Sequence, residues 1–360
     1  MTGLIGVKPG RGRRCPAPYA VLVLVVLEVL RGIERTTVAE VGRMLPRAVV
    51  KSVGESEVAV QTEGLDGVQS LRTVVAAYLA LPFDIRRPKE LLSSDRFGSV
   101  VEAIEQIRRQ RPKVRFASFR VSAAGSDSEV MTRFRADLAE ATGLVESPED
   151  GELLVRVRRT PEGPGWQVLL RTTPRPLSAR AWRAVNYPGA VNATVAAAVI
   201  EALDPRPADS VIDLMCGSGT LVLQRLARCR PERLVASDVS ADALDAAQQN
   251  QRASRLKGRV EYLQQDVRTL QVSPAGFTTL MANPPWGELV GSHDANEDLY
   301  PALLHTAHRL AAEQAVLGVL THDIRRFERI LASQKHWVEE SQALFFQKGH
   351  HPRLYVLRHY

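Results

Sequence analysis

The apolar positions of this chain change period repeatedly. From Tyr19 to Leu30, valine and leucine alternate or run together, as in a strand buried on one or both faces. Ile33–Met44 carries Val38, Val41 and Met44 at helical spacing. Val49–Val53 and Glu57–Gln61 are short β-like runs, and Ser70–Leu81 reads as a helix closed by Pro82. This order predicts a small α+β unit with helices on one face of an antiparallel sheet. A second unit follows. It has a helix over Phe97–Arg109, a strand over Arg115–Ser122, and a helix over Asp127–Thr142 opened by Ser126 or Asp127 and ended by Gly143. Strands at Leu153–Arg159 and Trp166–Thr172 flank the turn-rich Pro161–Gly165. Arg171–Gly189, rich in proline and arginine with little periodicity, reads as a linker. Beyond it helix and strand alternate, which predicts a parallel sheet with helices on both faces.

Composition adds a division of labour. At 360 residues, 45% hydrophobic and 24% charged, the chain is an ordinary globular protein of two or three domains. Its net charge of +7 is uneven: residues 1–185 hold 29 cations against 21 acids, residues 186–360 hold 18 against 19. A cation-rich module joined to a neutral one suits a polyanion-docking part and a chemistry part. Cys15, Cys216 and Cys229 lack CxxC spacing, which argues for a reducing compartment and against a zinc site. Arg11–Arg14 ahead of Tyr19–Leu27 imitates a secretory signal, but Glu28 and Arg31 interrupt it and no cleavage site follows. No segment approaches the roughly 20 apolar residues of a membrane span. A cytoplasmic protein with no membrane contact is expected. A monomer is expected too, since no coiled-coil stripe is evident.

The strand Ser210–Leu214 runs into Met215-Cys216-Gly217-Ser218-Gly219-Thr220, and a helix follows from Leu221 to Ala227. A glycine loop between a strand's carboxyl end and a helix lets a ligand approach bare backbone. Dinucleotide binding needs a third glycine, and Val222 stands there. Asp213 would repel a pyrophosphate, whereas it suits the sulfonium and amino group of S-adenosylmethionine. The strand Arg233–Ser237 ends at Asp238-Val239, placed for a ribose diol, and Val260–Leu263 leads to Asp266-Val267, placed for an adenine amine. Cys216 reads as a packed residue rather than a nucleophile.

The strand Phe277–Ala282 ends in Asn283-Pro284-Pro285-Trp286-Gly287. The lone pair of an exocyclic base amine is delocalised into the ring, so the nitrogen is a poor nucleophile. Two acceptors gripping its N–H groups orient it and favour pyramidal geometry. The side-chain oxygen of Asn283 is one, and the carbonyl of Pro284 can be the other, because Pro285 supplies no N–H and the Pro-Pro stretch is stiff. Trp286 offers a flat face for a base taken out of its helix. Methylation at C5 of a pyrimidine needs a cysteine that this loop lacks.

Asp213–Thr220 (DLMCGSGT) and Asn283–Trp286 (NPPW) resemble the glycine-loop and catalytic motifs of the Rossmann-like class I amino-methyltransferases. A finer resemblance, to THUMP-domain RNA methyltransferases and above all tRNA guanine-N2 methyltransferases, rests on four stretches. They are Ser118–Val121 with Gly125 and Arg133; Leu153–Arg158 with Trp166–Leu170; Arg175–Arg180 leading to Pro188–Thr194; and Gln347–Gly349 with Pro352–Leu357. The resemblance implies an α/β catalytic domain with a doubly wound sheet over residues 191–360, binding S-adenosylmethionine. Before it come a flexible leader (1–16), a ferredoxin-like α+β domain (17–95), a THUMP domain (96–175) and a linker (176–190). It implies that THUMP holds the 3′ end of tRNA while the catalytic domain reaches a guanosine in the acceptor stem, position 6 in the nearest subclass.

Candidate cofactor residues are thus Asp213, Cys216, Gly217, Gly219, Thr220, Asp238, Val239, Asp266, Val267 and Asn283. Asn192 and Thr194 join them, although helix capping explains that pair equally well. Candidate catalytic residues are Asn283, Pro284, Pro285 and Trp286. Candidate phosphate contacts are Arg133, Arg135, Arg156, Arg158 and Arg159. His350 and His351 lack metal-ligand spacing, and the chemistry requires no metal. Guanine-N2 in ribosomal RNA, another tRNA position, adenine-N6, or a vestigial fold that only binds RNA remain the alternatives.

Overall fold

A computed structural model of the chain describes residues 22–113, 115–161, 163–285, 295–347 and 349–360. The expected leader, Cys15, the first residues of the Tyr19–Leu30 run, Trp286 and Lys348 lie outside the described residues. The N-terminal half contains β1 (Val23–Val29), α1 (Glu34–Met44), β2 (Val49–Gly54), β3 (Glu57–Thr62) and β4 (Val74–Phe83). It continues with α2 (Ser94–Gln110), β5 (Ser118–Ala123), α3 (Glu129–Thr142), β6 (Val145–Glu146), β7 (Leu153–Arg159) and β8 (Trp166–Arg171). All eight strands join one sheet in the order β2-β3-β1-β4-β8-β7-β5-β6, so the two expected units share a sheet through the antiparallel β4–β8 pair. Helices cover one face: Val41 of α1, Val100, Ile104 and Ile107 of α2, and Phe134 and Leu138 of α3 pack on Val25, Leu79, Val155 and Leu170.

Two expectations fail here. Ser70–Leu81 is not a helix; a 3-10 turn at Val68–Ser70 precedes the strand β4. The strand sits between β1 and β8 and is buried on both faces, Leu79 facing the helices and Tyr78 the opposite side. A doubly buried strand loses its polar alternation and imitates an apolar helix. The cap of α3 is Ser128, whose hydroxyl accepts from Met131 N at 3.4 Å, not Ser126 or Asp127. Gly143 ends that helix at φ 69°, as expected.

The C-terminal half alternates as expected. Its elements are α4 (Ala193–Ala202), β9 (Ser210–Asp213), α5 (Thr220–Arg228), β10 (Arg233–Asp238), α6 (Ala241–Ser254), β11 (Glu261–Gln264) and β12 (Phe277–Ala282). Then come α7 (Ala295–Leu310), β13 (Ala311–Thr321), α8 (Ile324–Ala332), β14 (Trp337–Leu344) and β15 (Arg353–His359). The sheet order is β11-β10-β9-β12-β13-β15-β14, parallel from β11 to β13 and antiparallel at β15 and β14. Successive strand residues enter opposite cores: Val211, Leu234 and Met281 meet α4 and α5, while Ile212, Val235 and Leu280 meet α7 and α8. Burial on both faces is what a doubly wound Rossmann-like sheet demands. Its order reverses between β9 and β12, and there the ligand crevice of such a sheet lies. Among the described residues no helix is long and apolar enough to cross a membrane.

The halves meet at a seam. Ile33 is fully buried in the core that contains α4 and α5, Phe346 N donates to Arg31 O at 3.2 Å, and Glu201 of α4 pairs with both Arg43 and Arg228.

Candidate active site

The strand register brings the two sequence motifs to one rim. Met281 of β12 lies opposite Asp213 of β9, and Leu214 N donates to Met281 O at 2.9 Å. Ala236 of β10 flanks Asp213 on the other side, so Asp238 leaves the sheet at the same level. The glycine loop, Asp238 and the Asn283 turn therefore project from the carboxyl ends of three neighbouring strands.

The loop is shaped by backbone. Cys216 N donates to Ser237 O at 2.9 Å, and Gly217 N donates to the Asp238 carboxylate at 2.8 Å. Gly217 has φ 52° and open space where a Cβ would stand, while a Cβ at Gly219 (φ 79°) would lie 3.1 Å from that of Ala247. The first glycine thus leaves room for a ligand and the second lets α5 approach α6. Asp213 is wholly buried; its Oδ1 accepts from Met215 N at 3.4 Å and its Oδ2 accepts nothing. Burial above all, and then the neighbouring Asp238 charge, pushes its carboxyl up to about 8. Asp238 also accepts from Ser240 N at 2.9 Å, and Val239 beside it is 61% exposed. An exposed valine next to a carboxylate suits the flat face of a purine and its ribose. Cys216 is buried, its thiol lifted well above its ordinary range by desolvation, in keeping with a packed residue. Thr220 is buried, and its hydroxyl is met by Arg183 at 3.3 Å.

At the catalytic turn, Asn283 Oδ1 is buried and accepts no hydrogen bond. An acceptor held dry and unpaired is costly unless something else donates to it. Asn296 of α7 donates through Nδ2 to Pro285 O at 3.2 Å and contacts the Tyr300 hydroxyl, which lies 2.7 Å from Thr321 Oγ1. The turn is thus anchored from behind by a buried polar chain that the sequence reading missed.

Other expected residues are placed differently. Asn192 Oδ1 accepts from the N–H and hydroxyl of Thr194 at 2.8 and 2.6 Å, and Thr194 is fully buried, so this pair caps α4. Asp266 accepts from Arg268 N at 2.9 Å and pairs with its guanidinium at 3.0 Å. The Val267 side chain is in the core and its carbonyl takes the Thr306 hydroxyl, which leaves only its N–H for a ligand.

The arginines are largely spent within the sheet. Arg156 meets Glu28 at 2.8 Å over the Tyr78 ring, and Arg158 grips Glu57 at 2.5 and 2.8 Å. Arg135 pairs with Glu146 at 2.8 Å, and Arg159 lies 5.2 Å from the Trp166 ring centre. A cavity of about 450 Å³ is lined by Glu28, Glu55 and Glu57 as well as by Arg156, Arg158 and Arg159, so carboxylates answer its cations. A phosphate at Arg156 or Arg158 would first have to displace a carboxylate. Arg133, 73% exposed and 3.6 Å from Asp137, keeps its charge at the surface. Short β-rich stretches show only one residue in two facing any surface, and nothing in them reveals an acid across the sheet.

Residues 180–352 match the family described as RMKL-like, methyltransferase domain. A tRNA (guanine(6)-N2)-methyltransferase of Methanocaldococcus jannaschii is 22% identical over 207 residues, 47% of this chain and 54% of that protein. A tRNA (guanine(6)-N(2))-methyltransferase of Mus musculus is 25% identical over 184 residues, 48% of this chain and 36% of its own length. The chain thus spans about half, or less, of the curated relatives it matches. In fold it superposes on the crystal structure of TrmN from Thermus thermophilus with a TM-score of 0.73 and 23% identity, covering 94% of this chain and 100% of that one.

Proposed function

We propose that this chain, whose residues 180–352 match the RMKL-like methyltransferase domain family, is an S-adenosylmethionine-dependent methyltransferase. Its substrate on this reading is the exocyclic N2 amine of a guanosine in tRNA, in the acceptor stem at position 6. The observation that carries the proposal is a pair of buried oxygens without donors, Asp213 Oδ2 and Asn283 Oδ1, on one rim of the sheet. The residues fit the donor: Asp213 and Asp238 answer its positive charge and hydroxyls, Gly217 gives it room, and Val239 offers an apolar face. When bound, S-adenosylmethionine supplies an electrophilic methyl group.

The chain's own residues do the rest. Asn283 Oδ1 accepts one N–H of the base amine and the Pro284 carbonyl the other, and Asn296 steadies the turn through Pro285. Orientation and proximity then carry much of the rate. The names of the two tRNA-modifying relatives support guanine-N2 in tRNA over adenine-N6 or ribosomal RNA. The basic surplus of the N-terminal half supports its holding the tRNA 3′ end, with Arg133 the foremost phosphate contact. On this reading the protein works in the cytoplasm as a monomer and without a metal.

The test is methyl transfer from labelled S-adenosylmethionine to separated tRNA and ribosomal RNA, with nucleoside analysis of the product. N2-methylguanosine in tRNA is expected; label in N6-methyladenosine, or in ribosomal RNA alone, overturns the assignment. Asn283→Ala should lower kcat by about a hundredfold or more, the scale of one oriented transition-state contact, with cofactor affinity nearly unchanged. Asp238→Ala should weaken the cofactor first.

A further inference from the structure

Asn250 is an amide at an interior position of α6, in register with Ala243, Ala246 and Ala247, and 1% exposed. All its strong hydrogen-bonding capacity is directed at two backbone segments far apart in sequence. Its Oδ1 accepts from Val185 N at 2.9 Å; its Nδ2 donates to Val185 O at 3.3 Å and to Ser218 O at 3.2 Å. Val185 belongs to the stretch between the two halves, and Ser218 is the centre of the glycine loop. A second cross-tie runs parallel. Arg183 donates to Val191 O at 2.9 Å and to Thr220 Oγ1 at 3.3 Å, the residue where α5 begins. At its other end the same stretch is fixed to the N-terminal sheet, Ser178 N donating to Val75 O at 3.1 Å and Arg180 to Arg72 O.

We infer that Asn250 and Arg183 are positioning residues that latch the connecting stretch onto the glycine loop, so that seating of the stretch and binding of the cofactor are one coupled equilibrium. The inference rests on the methyltransferase reading of the loop. Asn is required at 250 because one backbone donor and two backbone acceptors must be met at once. Aspartate would face two carbonyls with an anion, and alanine would leave three backbone groups without partners, the buried Ser218 carbonyl among them. Coupling is reciprocal: whatever the seated stretch adds to cofactor affinity, the cofactor returns to the seating. Since the far end of the stretch is tied to β4, movement of the basic N-terminal half reaches the cofactor loop by this route.

The experiment uses the full chain, S-adenosylhomocysteine as probe, and two readouts: its Kd and the hydrogen exchange of the Val185 amide, whose acceptor is Asn250 itself. In the wild type the probe should slow Val185 exchange. Asn250→Ala should raise the Kd by about tenfold, the order set by stranding buried hydrogen-bond partners, and abolish the slowing. Arg183→Gln, at a half-exposed site, should give a smaller change of the same kind and decides the matter if the Asn250 variant does not fold. A general loss of packing would raise exchange with or without the probe; the latch predicts loss of the probe-dependent part. Wild-type Kd and wild-type slowing in a folded variant overturn the inference alone. Failure of the wild type to bind the probe overturns it together with the reading it rests on.

Discussion

A carboxyl oxygen sealed away from water with no donor costs free energy, and Asp213 keeps one. With its carboxyl pushed up to about 8, Asp213 is mostly protonated at neutral pH in the free protein. The sign follows from linkage. The folded chain holds a proton that the unfolded chain releases near pH 4, so this residue favours the fold below that pH. The advantage is lost as pH rises through about 8. A cationic ligand reverses the preference, since it needs the carboxylate. Cofactor affinity should therefore climb with pH up to about 8 and then level, and binding below that point should release a proton. Calorimetry in two buffers of different ionisation heat measures the release; none detected would contradict the placement of this charge, and Asp213→Asn should flatten the profile. Asp213, Gly217 and Asn283 were legible because the backbone around them admits few residue types. Asn250 and Arg183 were not, because their partners are main-chain atoms that no side-chain pattern announces.

Among the elements, α7, β15 and the turn leading into β14 are tied by histidines. His359 Nδ1 lies 3.0 Å from Ala312 O, which can only accept, so that nitrogen carries the proton. His359 Nε2 then accepts from His308 Nδ1 at 2.7 Å, and His308 stacks on His336 with ring centres 3.7 Å apart. Burial, and then the charges that His336 and His359 would bear, lower the pKa of His308. A histidine depressed in the fold takes up its proton more readily when unfolded. The fold is therefore favoured above the unfolded pKa of about 6.5, and the advantage is lost as pH falls below it. The thermal midpoint should drop on acidification through that range, less steeply in His308→Gln; identical profiles would remove the cluster from the explanation. Sequence periodicity found most elements here because α4 to β13 alternate in a doubly wound plan. It misread β4, where burial on both faces erases the alternation on which such reading depends.

The whole molecule is held at a seam with little tolerance. Gly32, at φ 93°, would place a Cβ 2.2 Å from Leu344 O of β14, a backbone atom that cannot rotate away. Gly32→Ala should therefore lower the thermal midpoint and separate the unfolding of the two halves, at a cost of about 2 kcal/mol or more. An unchanged single transition would show that the seam yields. Charge imbalance and motif spacing told the halves apart, but the union of the two N-terminal units in one sheet was hidden, since pairing of β4 with β8 links residues some ninety positions apart.

The order β13-β15-β14 has a consequence for biosynthesis. β14 pairs with β15 and with no other strand among those described, while β15 is translated after it. As the nascent chain leaves the ribosome, the five parallel strands can assemble in the order they emerge. Trp337–Leu344 waits without a ladder partner until Arg353–His359 threads in beside β13. Since Leu344 and Phe346 also meet Gly32 and Arg31, the grip of the first-made half on the last-made half is completed only by that final insertion.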